Sequence, residues 1–91
     1  MIARRLTVHG RVQGVWYRAW AAEEAAALGI SGWVRNRAEG TVELLAIGAS
    51  EAVAAFIARC HEGPPRARVS RVDVEEAPVE PILGFEKRAT R

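Results

Sequence analysis

A chain of 91 residues has room for one compact hydrophobic core but not for two, so we expect a single domain over residues 1–91. Its 49% hydrophobic and 26% charged residues are typical of a globular protein, and no apolar run approaches the roughly 20 residues of a membrane span, which excludes a membrane protein of the helical kind. The net charge of +2 is compatible with a small anionic substrate and is too weak by itself to indicate nucleic acid.

The use of cysteine and the N-terminal segment both favour a cytoplasmic protein. Cys60 is the single cysteine, so no disulfide forms within the chain. Arg4 and Arg5 are not followed by the long apolar segment that a secretory signal requires.

The first half of the chain predicts a strand, a loop, a helix and a hairpin. Apolar residues alternate with polar ones over about 2–9, which is typical of a strand. After a glycine-containing loop, apolar residues at three- and four-residue steps predict a helix over about 17–28, which Gly29 is placed to end. Strands over about 30–37 and 41–47 follow, separated by a short turn.

The second half predicts a helix and two further strands. Ser50 is a suitable N-cap for a helix over about 51–61, which shows the clearest helical period in the chain. A strand follows over about 67–76, and the shift in its alternation after Val69 predicts a bulge. A short last strand is predicted over 84–87.

This order of elements predicts an α+β domain of the ferredoxin-like, split βαβ kind. In that βαββαβ sandwich, a mostly antiparallel sheet carries both helices on one face. A similar order occurs in RNA-binding sheets, which need exposed aromatic residues on neighbouring strands. The first strand offers Arg5, Thr7 and His9 instead, and the third offers no aromatic residue, so we expect no nucleic-acid partner.

The most informative stretch is Gly10-Arg11-Val12-Gln13-Gly14-Val15-Trp16-Tyr17-Arg18, a loop between a strand and a helix. The first N–H groups of a helix have no intrahelical acceptor, and the macrodipole favours an anion there. Arg18 adds donors that match phosphate oxygens. Two alternatives remain open at this point: Arg18 pairs with Glu23 or Glu24, and the glycines serve only a tight turn.

Other catalytic groups are scarce. Cys60 lies on the apolar stripe of the second helix, which favours a packing role, and His9 and His61 have no ligand cluster around them. We therefore expect neither covalent catalysis nor a metal site.

Asn36 is the second candidate site residue, because it ends the second strand. Its side chain reaches the loop if the first two strands lie adjacent or nearly so in the sheet, although asparagine also favours such positions for local reasons. For Trp16 and Trp33 we expect packing roles rather than contact with a substrate.

Two runs together carry a resemblance to a known family. The loop run above and the run Gly29-Ile30-Ser31-Gly32-Trp33-Val34-Arg35-Asn36 resemble the acylphosphatase family, and Gly40-Thr41-Val42-Glu43 and Gly63-Pro64-Pro65 also look like family positions. The resemblance covers most of the chain. It implies the ferredoxin-like fold and hydrolysis of an acyl phosphate to a carboxylate and orthophosphate.

The resemblance also implies roles for individual residues. Arg18 and main-chain N–H groups would hold the phosphoryl group, while Asn36 would orient the attacking water, without metal, cofactor or phosphoenzyme. Independently of the resemblance, we expect a monomer. The loop residues concerned are Gln13, Gly14, Val15, Trp16, Tyr17 and Arg18. The alternative is a non-catalytic module that binds the anion. Ala21 departs from relatives that place a threonine there, and the C-terminal end matches the family less clearly.

Overall fold

The computed structural model describes all 91 residues and contains the predicted elements in the predicted order. Each boundary lies within two residues of its expected position. The elements are β1 (Ile2–Arg11), α1 (Tyr17–Leu28), β2 (Ser31–Asn36), β3 (Val42–Gly48), α2 (Ser50–Glu62), β4 (Arg68–Ala77) and β5 (Phe85–Lys87).

The strands form one sheet in the order β4-β1-β3-β2-β5. β1 pairs antiparallel with both β3 and β4, and β2 pairs antiparallel with β3. β5 is the exception, because it runs parallel to β2 at the edge of the sheet. β3 therefore lies between β1 and β2, which are near neighbours rather than adjacent strands.

The main core lies between one face of the sheet and the two helices. It contains 15 buried residues, to which α1 contributes Tyr17, Ala21 and Ala25 and α2 contributes Val53, Phe56 and Cys60. The predicted ferredoxin-like arrangement, with both helices on one face, is thus confirmed. Neither helix has the length and apolar character needed to cross a membrane.

The opposite face of the sheet carries a smaller buried cluster around Trp33. Its members are Ala3, Trp33, Leu45 and Ile47. The guanidinium groups of Arg35 and Arg88 lie over the Trp33 ring at 4.7 and 5.1 Å from its centroid. Such cation–π contacts cover the ring and confirm the expected packing role.

The predicted bulge in β4 is also confirmed, and it directs the chain into the loop. His9 pairs with Arg71 and Gly10 with Val69, which leaves Ser70 as the extra residue. Gly10 has φ 118°, and a Cβ there would lie 2.1 Å from the Arg68 carbonyl oxygen. Only glycine fits at this position, where the backbones of β1 and β4 approach so closely. β1 therefore continues to Arg11, two residues beyond its predicted end.

The start of α2 differs from the prediction that Ser50 is its N-cap. Ala49 occupies the cap with extended φ and ψ of −62° and 147°, and no side chain caps the helix. The Ala49 carbonyl accepts the Val53 N–H at 3.0 Å, so Ser50 is the first helical residue. A shift of one residue in the first turn thus removes the serine hydroxyl from the capping position.

The last strand continues into a C-terminal segment beside β2. Phe85 packs on Phe56 with ring centroids 5.8 Å apart. The Arg88 N–H donates to the Val34 carbonyl at 2.8 Å and the Arg91 N–H to the Asn36 carbonyl at 3.0 Å. These bonds hold the C-terminal segment alongside β2 as far as Asn36, the last residue of that strand.

We expect Gly32→Ala to destabilise the fold much more than Gly40→Ala. Both glycines have positive φ, 135° and 106°, but only at Gly32 would a Cβ meet backbone, 1.8 Å from the Leu45 carbonyl oxygen. Left-handed strain costs about 1–2 kcal/mol at either site, and the clash should raise the cost at Gly32 above about 3 kcal/mol or prevent folding. Urea unfolding of the two variants measures the difference. Equal losses in the free energy of unfolding would show that β2 and β3 move apart easily at Gly32 and so accommodate the added Cβ.

Candidate functional site

An open pocket of about 620 Å³ lies where three segments of the chain meet. They are the loop with the start of α1, the end of β2, and the C-terminal segment that follows β5. The lining residues are Val12, Gly14, Trp16, Tyr17, Arg18, Ala19, Asn36, Lys87, Arg88 and Ala89. This lining contains three cationic side chains and no carboxylate.

The N–H groups of residues 13–19 have no hydrogen-bond acceptor within the protein. The first main-chain bond of the helix is that from the Trp20 N–H to the Trp16 carbonyl, at 3.0 Å. No side chain caps α1, and its first turn contains no acidic residue. The loop therefore presents consecutive unpaired donors at the positive end of a helix dipole, which is a suitable environment for an anion.

Contacts on both sides hold the loop in place. Val12 and Val15 are buried in the main core. The Gln13 side-chain amide donates to the carbonyls of Arg37 and Thr41, both at 2.8 Å, and so ties the loop to the β2–β3 turn. These contacts fix the donors before any ligand arrives, which reduces the cost of reorganisation on binding.

Tyr17 anchors the start of α1. Its hydroxyl donates to the Cys60 carbonyl of α2 at 2.7 Å. Burial raises the pKa of Tyr17 and raises the pKa of the Cys60 thiol to about 12. Both groups therefore stay protonated at neutral pH, and the packing role expected for Cys60 is confirmed by its complete burial.

Trp16 contradicts the expectation that it packs in the core, because its side chain is 76% exposed. It has φ 68° and ψ 21° and is the only non-glycine residue with positive φ. The neighbouring Val15 and Tyr17 are buried, and the left-handed turn places the indole outside, on the wall of the pocket. Backbone strain of this kind is concentrated at functional sites.

The structure brings Arg18 and Asn36 to the same pocket, although β3 lies between β1 and β2. Both are half-buried, and neither side chain makes a hydrogen bond or ion pair with the protein. The alternative in which Arg18 pairs with Glu23 or Glu24 is wrong, because Arg18 makes no ion pair, and Glu24 instead accepts from Arg59 at 2.6 Å. The guanidinium and the amide both remain available to a ligand.

The loop residues singled out from the sequence do not all present side chains to the pocket. Gln13 and Val15 are not among the residues that line the pocket. Their side chains act within the protein, as hydrogen-bond donor and as core residue, and their main-chain N–H groups have no acceptor. Gly14, Trp16, Tyr17 and Arg18 line the pocket directly.

Sequence reasoning missed the C-terminal lining residues Lys87, Arg88 and Ala89. The missing information was the parallel pairing of β5 with β2, which brings this segment to Asn36. The apolar Phe85 was the available signal, because it indicates that Lys87, two residues further along a strand, shares its face. Elsewhere, no group of three or more His, Cys, Asp or Glu side chains could hold a metal ion.

Fold and pocket together define a ferredoxin-like domain whose loop between β1 and α1 carries unpaired main-chain donors beside an open pocket. The family model described as acylphosphatase matches residues 4–87. The acylphosphatase of an Acidovorax species is 58% identical over 98% of this chain and 92% of its own length, and that of Rhizorhabdus wittichii is 53% identical over 98% and 90%. A crystal structure of acylphosphatase from Bacillus subtilis superposes with a TM-score of 0.94 at 36% identity, covering 97% of this chain and 99% of the other.

The chain therefore belongs to the acylphosphatase family and is an acylphosphatase enzyme, as the resemblance between the motifs implied. Its family implies an acyl phosphate as substrate.

We expect Trp16→Gly to be more stable than Trp16→Ala by about 1 kcal/mol. In an ordinary helix the order is reversed, because glycine is the poorer helix former by a similar amount. At Trp16 the left-handed backbone penalises a Cβ, and glycine removes that penalty. Urea unfolding of the two variants gives the difference directly. An alanine variant at least as stable as the glycine variant would contradict the left-handed conformation at this position.

Proposed function

We propose that this acylphosphatase cleaves its substrate by direct attack of water on a phosphoryl group. Arg18 and the N–H groups of the loop hold the phosphoryl oxygens, and Asn36 orients the water. One observation carries the proposal: an unpaired guanidinium, an unpaired amide and consecutive unpaired N–H groups surround the same pocket.

The donors suit the charge that must be stabilised. Phosphoryl transfer spreads negative charge over three equatorial oxygens, and fixed donors around those oxygens favour the transition state. The loop supplies consecutive unpaired N–H groups, and the planar fork of Arg18 can bond two oxygens at once. Because Gln13, Val15 and Tyr17 fix the loop, these donors need little reorganisation during the reaction.

The leaving group makes few demands on the protein. The carboxylate released from an acyl phosphate is a weak base, so it departs without a strong proton donor. The pocket lining contains no Asp, Glu or His that would serve as a general acid. Catalysis then depends on position and charge.

Water is the nucleophile that fits the lining. No Ser, Thr or Cys lines the pocket, and its only hydroxyl group, that of Tyr17, is bonded to the Cys60 carbonyl. The amide of Asn36 both accepts and donates hydrogen bonds, so it can hold a water molecule in line with the departing carboxylate without titrating. We therefore assign Asn36 to positioning the attacking water.

The first test removes the guanidinium. We expect Arg18→Ala to lower kcat for acetyl phosphate by about 10²–10³ and to weaken competitive inhibition by orthophosphate, because it removes a preorganised donor. Arg59→Ala is the matched control, since it deletes the same group from an ion pair outside the pocket. Arg18→Ala turning over at the rate of that control would overturn the assignment of Arg18.

The second test separates binding from attack. We expect Asn36→Ala to lower kcat by about 10²–10³ while the inhibition constant of orthophosphate stays within about threefold of the wild-type value. The reason is that the amide acts on the water, whereas the loop and Arg18 act on the phosphoryl group. A near-normal kcat in Asn36→Ala would show that Asn36 has no part in the mechanism.

If the wild-type protein bound acetyl phosphate but released no orthophosphate, the pocket would be that of a non-catalytic binding module instead.

A further inference from the structure

Lys87 is the only lysine of the chain, and it lines the same pocket as the loop residues. In the parallel pair of β5 and β2 it lies beside Val34. Phe85, two residues earlier, packs into the core on the helix side of the sheet, so Lys87 shares that face. Asn36 lies two residues beyond Val34 and therefore on the same face of the adjacent strand. A flexible four-carbon side chain reaches the pocket from this position.

The ammonium group of Lys87 has no partner in the protein. No carboxylate lies within ion-pair distance of it, and none lines the pocket. Its neighbour Arg88 differs, because Arg88 pairs with Glu86 at 3.1 Å and lies over Trp33. Lys87 and Arg18 are thus the two uncommitted cationic side chains of the site.

The charge of the substrate requires more than Arg18 provides. An acyl phosphate carries two negative charges on its phosphoryl group at neutral pH, and Arg18 offsets one of them. We propose that Lys87 is a second phosphoryl-binding cation, which makes the pocket selective for dianions over monoanions of the same shape. This inference rests on the proposed function, because it takes the loop and Arg18 as the phosphoryl site.

The different roles of Arg18 and Lys87 follow from the chemistry of the two cations. Arg18 presents a planar fork that fixes the orientation of the oxygens, whereas an ammonium is a compact charge without a preferred plane. In this proposal Lys87 contributes mainly charge, whereas the loop and Arg18 also fix the orientation of the phosphoryl oxygens. Since the pocket is open, solvent screens part of this attraction, and we expect an effect of about tenfold in affinity rather than several hundredfold.

Sulfate and perchlorate provide the test, because both are tetrahedral, both stay fully ionised around neutral pH, and they differ in charge. Their dissociation constants are measured by tryptophan fluorescence at constant ionic strength for the wild-type protein, Lys87→Met and Lys87→Arg. We expect Lys87→Met to bind sulfate about tenfold more weakly and perchlorate within about twofold of wild type. Lys87→Arg, which retains the charge, should restore sulfate binding to within about threefold.

Two further variants separate the possible failures. Arg4→Gln also deletes one positive charge, from a side chain that donates only to the Ala3 carbonyl and does not line the pocket, and it should bind sulfate normally. The inference is overturned if Lys87→Met binds sulfate as wild type does, if it weakens both anions equally, or if Arg4→Gln shows the same loss. Arg18→Ala reports on the proposed function: normal sulfate binding by that variant would refute the phosphoryl site itself.

Discussion

The structure depends on one feature, the consecutive main-chain N–H groups at the junction between β1 and α1 that no protein group accepts. Buried or half-buried donors without acceptors are costly, so proteins rarely leave several together. Here the helix lacks both a capping side chain and an early carboxylate, either of which would have satisfied them. We propose that an anion supplies the missing acceptors. In that proposal the same donors bind the phosphoryl group of a substrate.

The rest of the fold keeps this loop open and rigid. The β4 bulge and Gly10 direct β1 into the loop, Gln13 ties it to the β2–β3 turn, and Tyr17 anchors the first turn of α1 on α2. The parallel edge strand β5 then brings Lys87 to the pocket. Each of these contacts is long-range in sequence, so the geometry of the site is a property of the folded sheet.

The sequence predicts the periodic parts of this fold well and the junctions less well. Alternation and helical period locate the first four strands and both helices, since burial on one face imposes those periods, whereas the three-residue β5 is too short to show one. The cap of α2 was wrong by one residue, because a local preference cannot fix the first turn. The packing role predicted for Trp16 is wrong, because a left-handed backbone, which no local pattern indicates, turns the side chain outward. Lys87 was missed because no local pattern predicts a parallel edge pairing.

The most direct test of the central claim follows the loop amides themselves. The ¹H and ¹⁵N resonances of residues 13–19 are recorded while orthophosphate is added to the wild-type protein at constant ionic strength. If these N–H groups hold the phosphoryl oxygens, their proton resonances should move downfield together, with one dissociation constant shared by the side-chain resonance of Arg18. If those amides stay in place while the enzyme is saturated with orthophosphate, the anion binds elsewhere and this account is contradicted.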